Sequence, residues 1–329
     1  MVSIKDVAKE AGVAISTVSK VLNNYPNVSE ETKNKVNEAV KALNFVPNSV
    51  AAALSSKRAG RVALLVNLNI EAQAIDEIDM RYISGALQKA MELNLDVITL
   101  FFFMFKDRTV DELTRYLQSQ SITGIIIYGL SKEDTVIHEL INEQNFKCVV
   151  IDGPIVNENT SYVSIDHMQA QYDVALKTVD ENEFDRILYI AGKKNGYVTD
   201  DRIEGMKKLA HERGLVLQIV HGEFSELQAR NITFEYGEKA NIIICASDLM
   251  AIGAMKALQE MDIFRPVCGF DGTMLMGYVG QQMNTVRQDF SAISAMAMDE
   301  LNNLFNGEKG RRVEAPYSLV RINYEDIIV

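Results

Sequence analysis

Apolar residues in the first 45 positions recur at helical spacing, and from Arg61 onward they gather into runs of strand length separated by helical stretches. Ser3-Ile4-Lys5-Asp6 has the S-x-x-D form of a capping box, so a helix is expected from Lys5 to Ala11, stopped by Gly12. Val7, Ala8 and Ala11 share one face of it. A second short helix is expected over Ile15–Leu22, with Val18, Val21 and Leu22 turned inward. Ser29-Glu30-Glu31 opens a third, on which Val36, Val40 and Leu43 repeat at helical spacing. Two short helices joined by a glycine-containing turn and covered by a third make a small helix-turn-helix unit. Asn48 is a good cap for an alanine-rich helix over Ser49–Ser56, which is too short to be stable in water without a partner.

The expected strands beyond Arg61 are Val62–Asn67, Leu95–Phe101, Gly124–Tyr128, Lys147–Asp152, Arg186–Ala191, Leu215–Val220, Asn241–Ala246 and Pro266–Asp271. Helical patterns such as Arg81–Leu93, Val110–Gln118 and Leu249–Met261 lie between them. Strand-helix alternation implies parallel sheets with helices on both faces. Eight or so strands suit two stacked lobes that bind a ligand in the crevice at the strand carboxyl ends. The longest apolar run, Val97–Phe105, is interrupted only by Thr99 and is far shorter than the roughly 20 residues a membrane span needs. With no apolar leader at the start, the expected location is cytoplasmic and no membrane partner is expected.

Charge changes the picture once it is divided. The chain carries a net −12, yet residues 1–61 hold nine Lys and Arg against five acids, a balance of +4 that leaves −16 for the rest. A basic head on an acidic body fits nucleic-acid binding by the head alone, although a solvated helical cap would show the same balance. Cys148, Cys245 and Cys268 lie far apart in apolar runs and read as small buried hydrophobes. The histidines at 138, 167, 211 and 221 lack ligand spacing, so neither a metal nor a cofactor is expected. There is no G-x-G-x-x-G after the first strand, no phosphate loop of the G-x-x-x-x-G-K type and no G-x-S-x-G, and no enzymatic activity is expected.

On the second helix, Ile15, Ser16, Thr17, Ser19, Lys20 and Asn23 lie away from the buried positions. Short hydroxyls suit phosphate oxygens and base edges, and a lysine reaches guanine in the major groove; an ordinary solvated face would look the same. The stretch Ile4 to Val13, then Ser16 to Asn23, Val28-Ser29-Glu30-Glu31-Thr32 and Pro47-Asn48, closely resembles the head of the lactose/galactose repressor family. The resemblance implies that Ile15, Ser16 and Lys20 read bases and that Thr17, Ser19 and Asn23 hold the backbone. It also implies that Leu54, on a hinge helix paired across a homodimer, wedges into the minor groove. Ala14 stands where the family usually caps this helix with Ser, and Lys20 often appears as Arg.

The body resembles the family's sensor, which is similar to periplasmic sugar-binding proteins. Asp201-Arg202-Ile203-Glu204-Gly205, Ala246 through Ala254, Gly269-Phe270-Asp271 and Thr285-Val286-Arg287-Gln288 carry the likeness. It implies that Asp152, Arg202, Asp248 and Asp271 face the cleft and that Phe224 offers an aromatic platform, a set suited to a sugar's hydroxyls and apolar face. The fold expected is a small all-α helix-turn-helix head, residues 1–46, a hinge and linker, 47–60, and an α/β two-lobed sensor of the periplasmic-binding type, 61–329. Within the sensor, an N-lobe is expected at about 61–160 and 291–315 and a C-lobe at about 161–290 and 316–329. The function implied is a homodimeric repressor that binds double-stranded operator DNA and answers to a small-molecule effector, a sugar or related metabolite. Asp76-Glu77-Ile78-Asp79 stands where the family commonly has Asn-Pro-Phe-Phe, and Ser247 replaces a frequent Asn. An atypical pocket answering to a non-sugar ligand, such as a cationic or amine-bearing effector, or to a protein corepressor is the alternative. A solute-binding protein serving a transporter would share the body but not the basic head.

Overall fold

The computed structural model describes residues 3–22, 28–43, 45, 61–68, 77–182, 185–279 and 282–322. The head contains α1 (Ile4–Ala11), α2 (Ile15–Leu22) and α3 (Glu30–Ala42). The Asp6 carboxylate accepts the Ser3 N–H and hydroxyl, each at 2.8 Å, which closes the first turn of α1. Gly12 ends that helix at φ +65°, a left-handed conformation that favours glycine. Ser29 caps α3 by accepting the Thr32 N–H. Val7, Ala8, Val18, Val21, Val36 and Ala39 form the head's core.

Two six-stranded sheets form the body. The first uses β1 (Arg61–Val66), β2 (Val97–Phe101), β3 (Ile122–Tyr128), β4 (Lys147–Ile151), β5 (Thr160–Ser164) and β11 (Arg312–Glu314), in the order β11-β5-β4-β3-β1-β2. The second uses β6 (Arg186–Ala191), β7 (Val216–His221), β8 (Ile242–Cys245), β9 (Val267–Cys268), β10 (Asn284–Gln288) and β12 (Tyr317–Arg321), in the order β12-β10-β9-β8-β6-β7. The pairing of β12 with β10 is antiparallel, whereas the other recorded pairs of named strands are parallel. Central strands such as β4, β6 and β8 are apolar and buried almost throughout because helices cover both faces. Cys148, Cys245 and Cys268 are buried free thiols in β4, β8 and β9.

The helices of the body are α4 (Glu77–Glu92), α5 (Val110–Ser119), α6 (Thr135–Asn142), α7 (His167–Asp180), α8 (Tyr197–Arg213), α9 (Glu226–Tyr236), α10 (Asp248–Glu260) and α11 (Phe290–Phe305). Helices α4 and α11 pack together, as do α7 with α8 and α9 with α10. All three contacts need glycine, the last at Gly253, where a Cβ would lie 2.1 Å from the Glu226 carbonyl oxygen. A Cβ on Gly85 would lie 2.2 Å from the Ser291 carbonyl oxygen, and one on Gly205 would lie 2.3 Å from that of Met168.

The sheets differ from the expected strands mainly in what they add. Thr160–Ser164 is fully buried although its sequence, TSYVS, is mostly hydroxyl-bearing, and it stays with the first sheet. The chain passes to the second sheet only after it, later than the lobe switch expected near residue 160. Strands β10, β11 and β12 were also absent from the expected set. Strand β9 stops at Cys268, short of the expected Asp271, although Asp271, at φ +111°, still forms a parallel bridge with Arg287 of β10.

Candidate functional site

Helix α2 buries Val18 and Val21 and leaves Ile15, Ser16 and Lys20 exposed, with Thr17 and Ser19 half-buried. Five of the six head residues singled out in the sequence are thus placed on or beside one accessible face. Ala14 contributes only its carbonyl, which accepts the Thr17 N–H at 2.9 Å and the Val18 N–H at 3.1 Å. The cap of this helix is therefore made by backbone alone. Asn23 and Leu54, with the hinge expected over 47–60, lie outside the described residues.

The body encloses a cavity of about 620 Å³. Tyr82, Tyr128 and Asp152 line it from the first sheet and its helices, and Arg202, Phe224, Asp271 and Gln288 line it from the second. Asp152 follows β4, Phe224 follows β7 and Asp271 follows β9, so the cavity lies at strand carboxyl ends. These three residues hold positive φ angles of 59°, 56° and 111°, a strain that folded proteins keep where surroundings enforce it, commonly at functional sites. The Phe224 ring packs over Gly192, where an added Cβ would lie 2.1 Å from the ring.

A polar chain runs along the wall. Asp152 accepts from the Ser164 hydroxyl at 2.7 Å and meets His167 Nε2 at 2.8 Å. Arg202 Nε donates to His167 Nδ1 at 3.4 Å, which places the imidazole proton on Nε2, aimed at Asp152. Arg202 also donates to the Ala246 carbonyl, stands 3.8 Å from Asp271 and stacks 3.6 Å from the centroid of Phe270. Gln288 donates to Asp271 at 3.1 Å. Burial raises the Asp152 carboxyl, but His167, the Ser164 bond and Arg202 outweigh it and hold the group below its ordinary value. Burial pushes the Asp271 carboxyl well above its ordinary value, and the neighbouring Asp248 adds to the shift while Arg202 opposes it. The Tyr82 phenol is raised by burial and by Asp152 and Asp271. The site thus offers a forked cation, two carboxyls of different proton affinity and aromatic faces.

Asp248, expected to face the cleft, stands behind the wall. It is fully buried, accepting the Thr273 N–H at 2.7 Å, the Thr273 hydroxyl at 3.2 Å and the Thr285 hydroxyl at 2.6 Å. Burial raises its carboxyl to about 7 against those bonds. From the first position of α10, its Oδ2 is committed to the loop carrying Asp271 and its Oδ1 to Thr285 of β10. His167, Tyr82 and Gln288 were not singled out in the sequence. Gln288 ends a stretch that carries the family likeness, and His167 directly follows the Asp166 cap of α7, so position was the only signal for either. Among the described residues, no three His, Cys, Asp or Glu side chains group as metal ligands, and no helix is long and apolar enough to cross a membrane.

Residues 3–48 match the family model of bacterial regulatory proteins of the lacI family, and residues 80–267 match that of periplasmic binding proteins and the sugar-binding domain of the LacI family. Catabolite control protein A of Staphylococcus epidermidis is 31% identical, with 98% of each chain covered. The transcriptional regulator RegA of Clostridium saccharobutylicum is 30% identical, with 92% of each chain covered. The fold is that of the Lac repressor dimer bound to operator and the anti-inducer ONPF, with a TM-score of 0.79 at 24% identity and 97% of each chain covered. These relatives are transcriptional regulators rather than enzymes. A helix-turn-helix head, two mainly parallel sheets around a cavity at their strand ends and full-length similarity to such regulators lead to one assignment: the chain belongs to the lacI family of bacterial regulatory proteins.

Proposed function

We propose that the protein is a cytoplasmic, homodimeric, non-enzymatic repressor of a carbohydrate or related catabolic operon, whose hold on operator DNA is set by a small molecule in the 620 Å³ cavity. The observation that carries this reading is the convergence of Asp152, Arg202, Phe224 and Asp271 on one cavity at the strand ends. Arg202 and the two carboxyls suit vicinal hydroxyls, and Phe224 suits the apolar face of a ring. In the head, Ile15, Ser16 and Lys20 read bases and Thr17, Ser19 and Asn23 meet phosphates, with half-sites about one helical turn, ~10 bp, apart. Leu54 enters the minor groove from a hinge helix that forms on the operator. The effector shifts the equilibrium between two arrangements of the lobes by its difference in affinity for them.

Selection of bound DNA from a random duplex pool tests the first half, with a pseudo-palindrome as the expected product. Leu54→Ala should weaken specific operator binding far more than nonspecific binding in a mobility-shift titration, and equal losses would remove the hinge from the mechanism. Thermal melting against neutral sugars, amino sugars and sugar phosphates tests the second half. One observation favours a second reading, a cationic or amine-bearing effector. Glu77, Asp79, Glu133, Asp134, Asp152, Glu223 and Asp271 line the cavity against only Lys193, Lys194 and Arg202. Stabilisation by amino sugars alone would select it.

A further inference from the structure

The acidic segment where the family pattern fails has a partner across the cavity. Glu77, at the start of α4, accepts the backbone N–H of Met274 at 2.9 Å and pairs with Arg81 at 2.9 Å. Met274 opens the 3-10 turn Met274–Tyr278, which lies between β9 and β10 of the second sheet, so an N-lobe carboxylate caps a C-lobe turn. Elsewhere on the cavity wall the loop after β3 meets the loop after β6. Ser131 and Gly196 form an antiparallel bridge, and the Lys132 N–H donates to the Asn195 carbonyl at 3.0 Å. Lys132 Nζ pairs with Asp200, and the Asn195 amide donates to Glu133. Asp134 fixes its own side of that loop by accepting the Ser131 N–H and hydroxyl at 2.7 Å each.

We propose that the side-chain bonds in these two sets, Glu77 to Met274, Lys132 to Asp200 and Asn195 to Glu133, are a polar latch through which the chain's own residues hold the lobes closed around the cavity and set the barrier to ligand entry. The proposal rests on the cavity being the effector site and adds its regulation. Every bond in the latch joins protein to protein, so closure is written into side chains and loop backbone of this chain. Each bond is polar and sits at or near the surface, with Lys132 and Asp200 nearly half exposed, so each is individually weak and salt-sensitive. Weak bonds in parallel suit a latch, because together they bias an equilibrium that a ligand can still shift. Glu77 thereby acquires a role that a recognition carboxylate would not have: it ties the lid-like turn that bears Leu275 and follows Thr273, both of which line the cavity.

The test measures lobe separation directly on the full chain. Spin labels on Glu139→Cys in α6 and Lys207→Cys in α8 report the distance between lobes, and the three native cysteines are buried. With no effector added, and the doubly labelled chain diluted into an excess of unlabelled chain so that each dimer carries one labelled pair, a single short distance is expected. Glu77→Ala combined with Lys132→Ala and Asn195→Ala should move most of the population to longer distances. Lys132→Ala alone should lower the closed-to-open ratio by roughly two- to fivefold, the size of one exposed pair. The exchanged pair, Lys132→Glu with Asp200→Lys, should restore the short distance, which separates lost attraction from a damaged fold. A distance distribution unchanged in the triple variant would overturn the latch. Failure of every compound in the melting panel would instead remove the effector reading, while the distance measurement stood unaffected.

Discussion

The two walls of the cavity are built differently. The C-lobe wall is a buried polar frame in which Arg202, His167, Asp248, Asp271 and Gln288 hold one another or their own backbone, each at most 7% exposed. The N-lobe wall presents Glu77, Asp79, Glu133 and Asp134 near the surface, and two of these reach across the cavity for partners. A buried frame keeps its geometry because each lost bond leaves an unsatisfied group in a low-dielectric interior. Surface carboxylates can exchange protein partners for water at little cost. On the proposed function, the buried frame together with Asp152 would set what is recognised, and the surface carboxylates of the N-lobe wall would set when the cavity opens.

The sharpest way to break this comparison is to cut the frame from behind. Asp248→Ala would strand the Thr273 N–H and the Thr285 hydroxyl and release the loop carrying Asp271. A loss of roughly 3 kcal/mol in a denaturant titration is expected, and a loss under about 0.5 kcal/mol would deny the frame its rigidity. Next in size, Arg202→Lys keeps the charge over Phe270 but removes the guanidinium fork. The ligand-dependent melting shift should disappear while operator affinity stays, and a retained shift would move recognition away from the C-lobe wall.

A further effect expected is a pH dependence carried mainly by Asp248. Asp248 is raised from 3.8 to about 7, so between those values the folded chain keeps a proton that the unfolded chain has released. Stability from this group therefore falls as pH rises from about 4 to about 7 and levels off above that. Asp271, also raised, acts in the same direction, whereas Asp152, held low, contributes stability that is lost as pH falls. Asp248→Asn keeps an acceptor for Thr273 and should flatten the slope of stability against pH. An equal slope in the variant would assign it to other groups.

The head was legible almost residue by residue. Capping, the glycine stop and helical periodicity act within a few positions, so Ser3, Gly12, Val18 and Ser29 announce their roles locally. The central strands were legible for a related reason, since a strand covered on both faces must be continuously apolar. Strand β5 escaped because its buried hydroxyls find partners elsewhere in the fold, Ser161 at Glu300 and Ser164 at Asp152, a circumstance that local composition does not carry. The candidate site divides the same way. Asp152, Arg202, Phe224 and Asp271 were placed by likeness to a family, and the cavity brings them together. Asp248 came from the same likeness, yet its carboxylate turns away from the cavity.

By itself, the sequence determined the three-helix head with its exposed polar face, the alternation of strands and helices, and the basic-acidic division of the chain. Each of these depends on neighbours a few residues apart or on simple composition. Only the tertiary structure decided that Asp248 braces a loop, that His167 links Asp152 to Arg202, and that Glu77 finds Met274 across the cavity. Those roles join residues up to 197 positions apart, and a side chain's task there follows from which donors and charges the fold brings within about 3 Å.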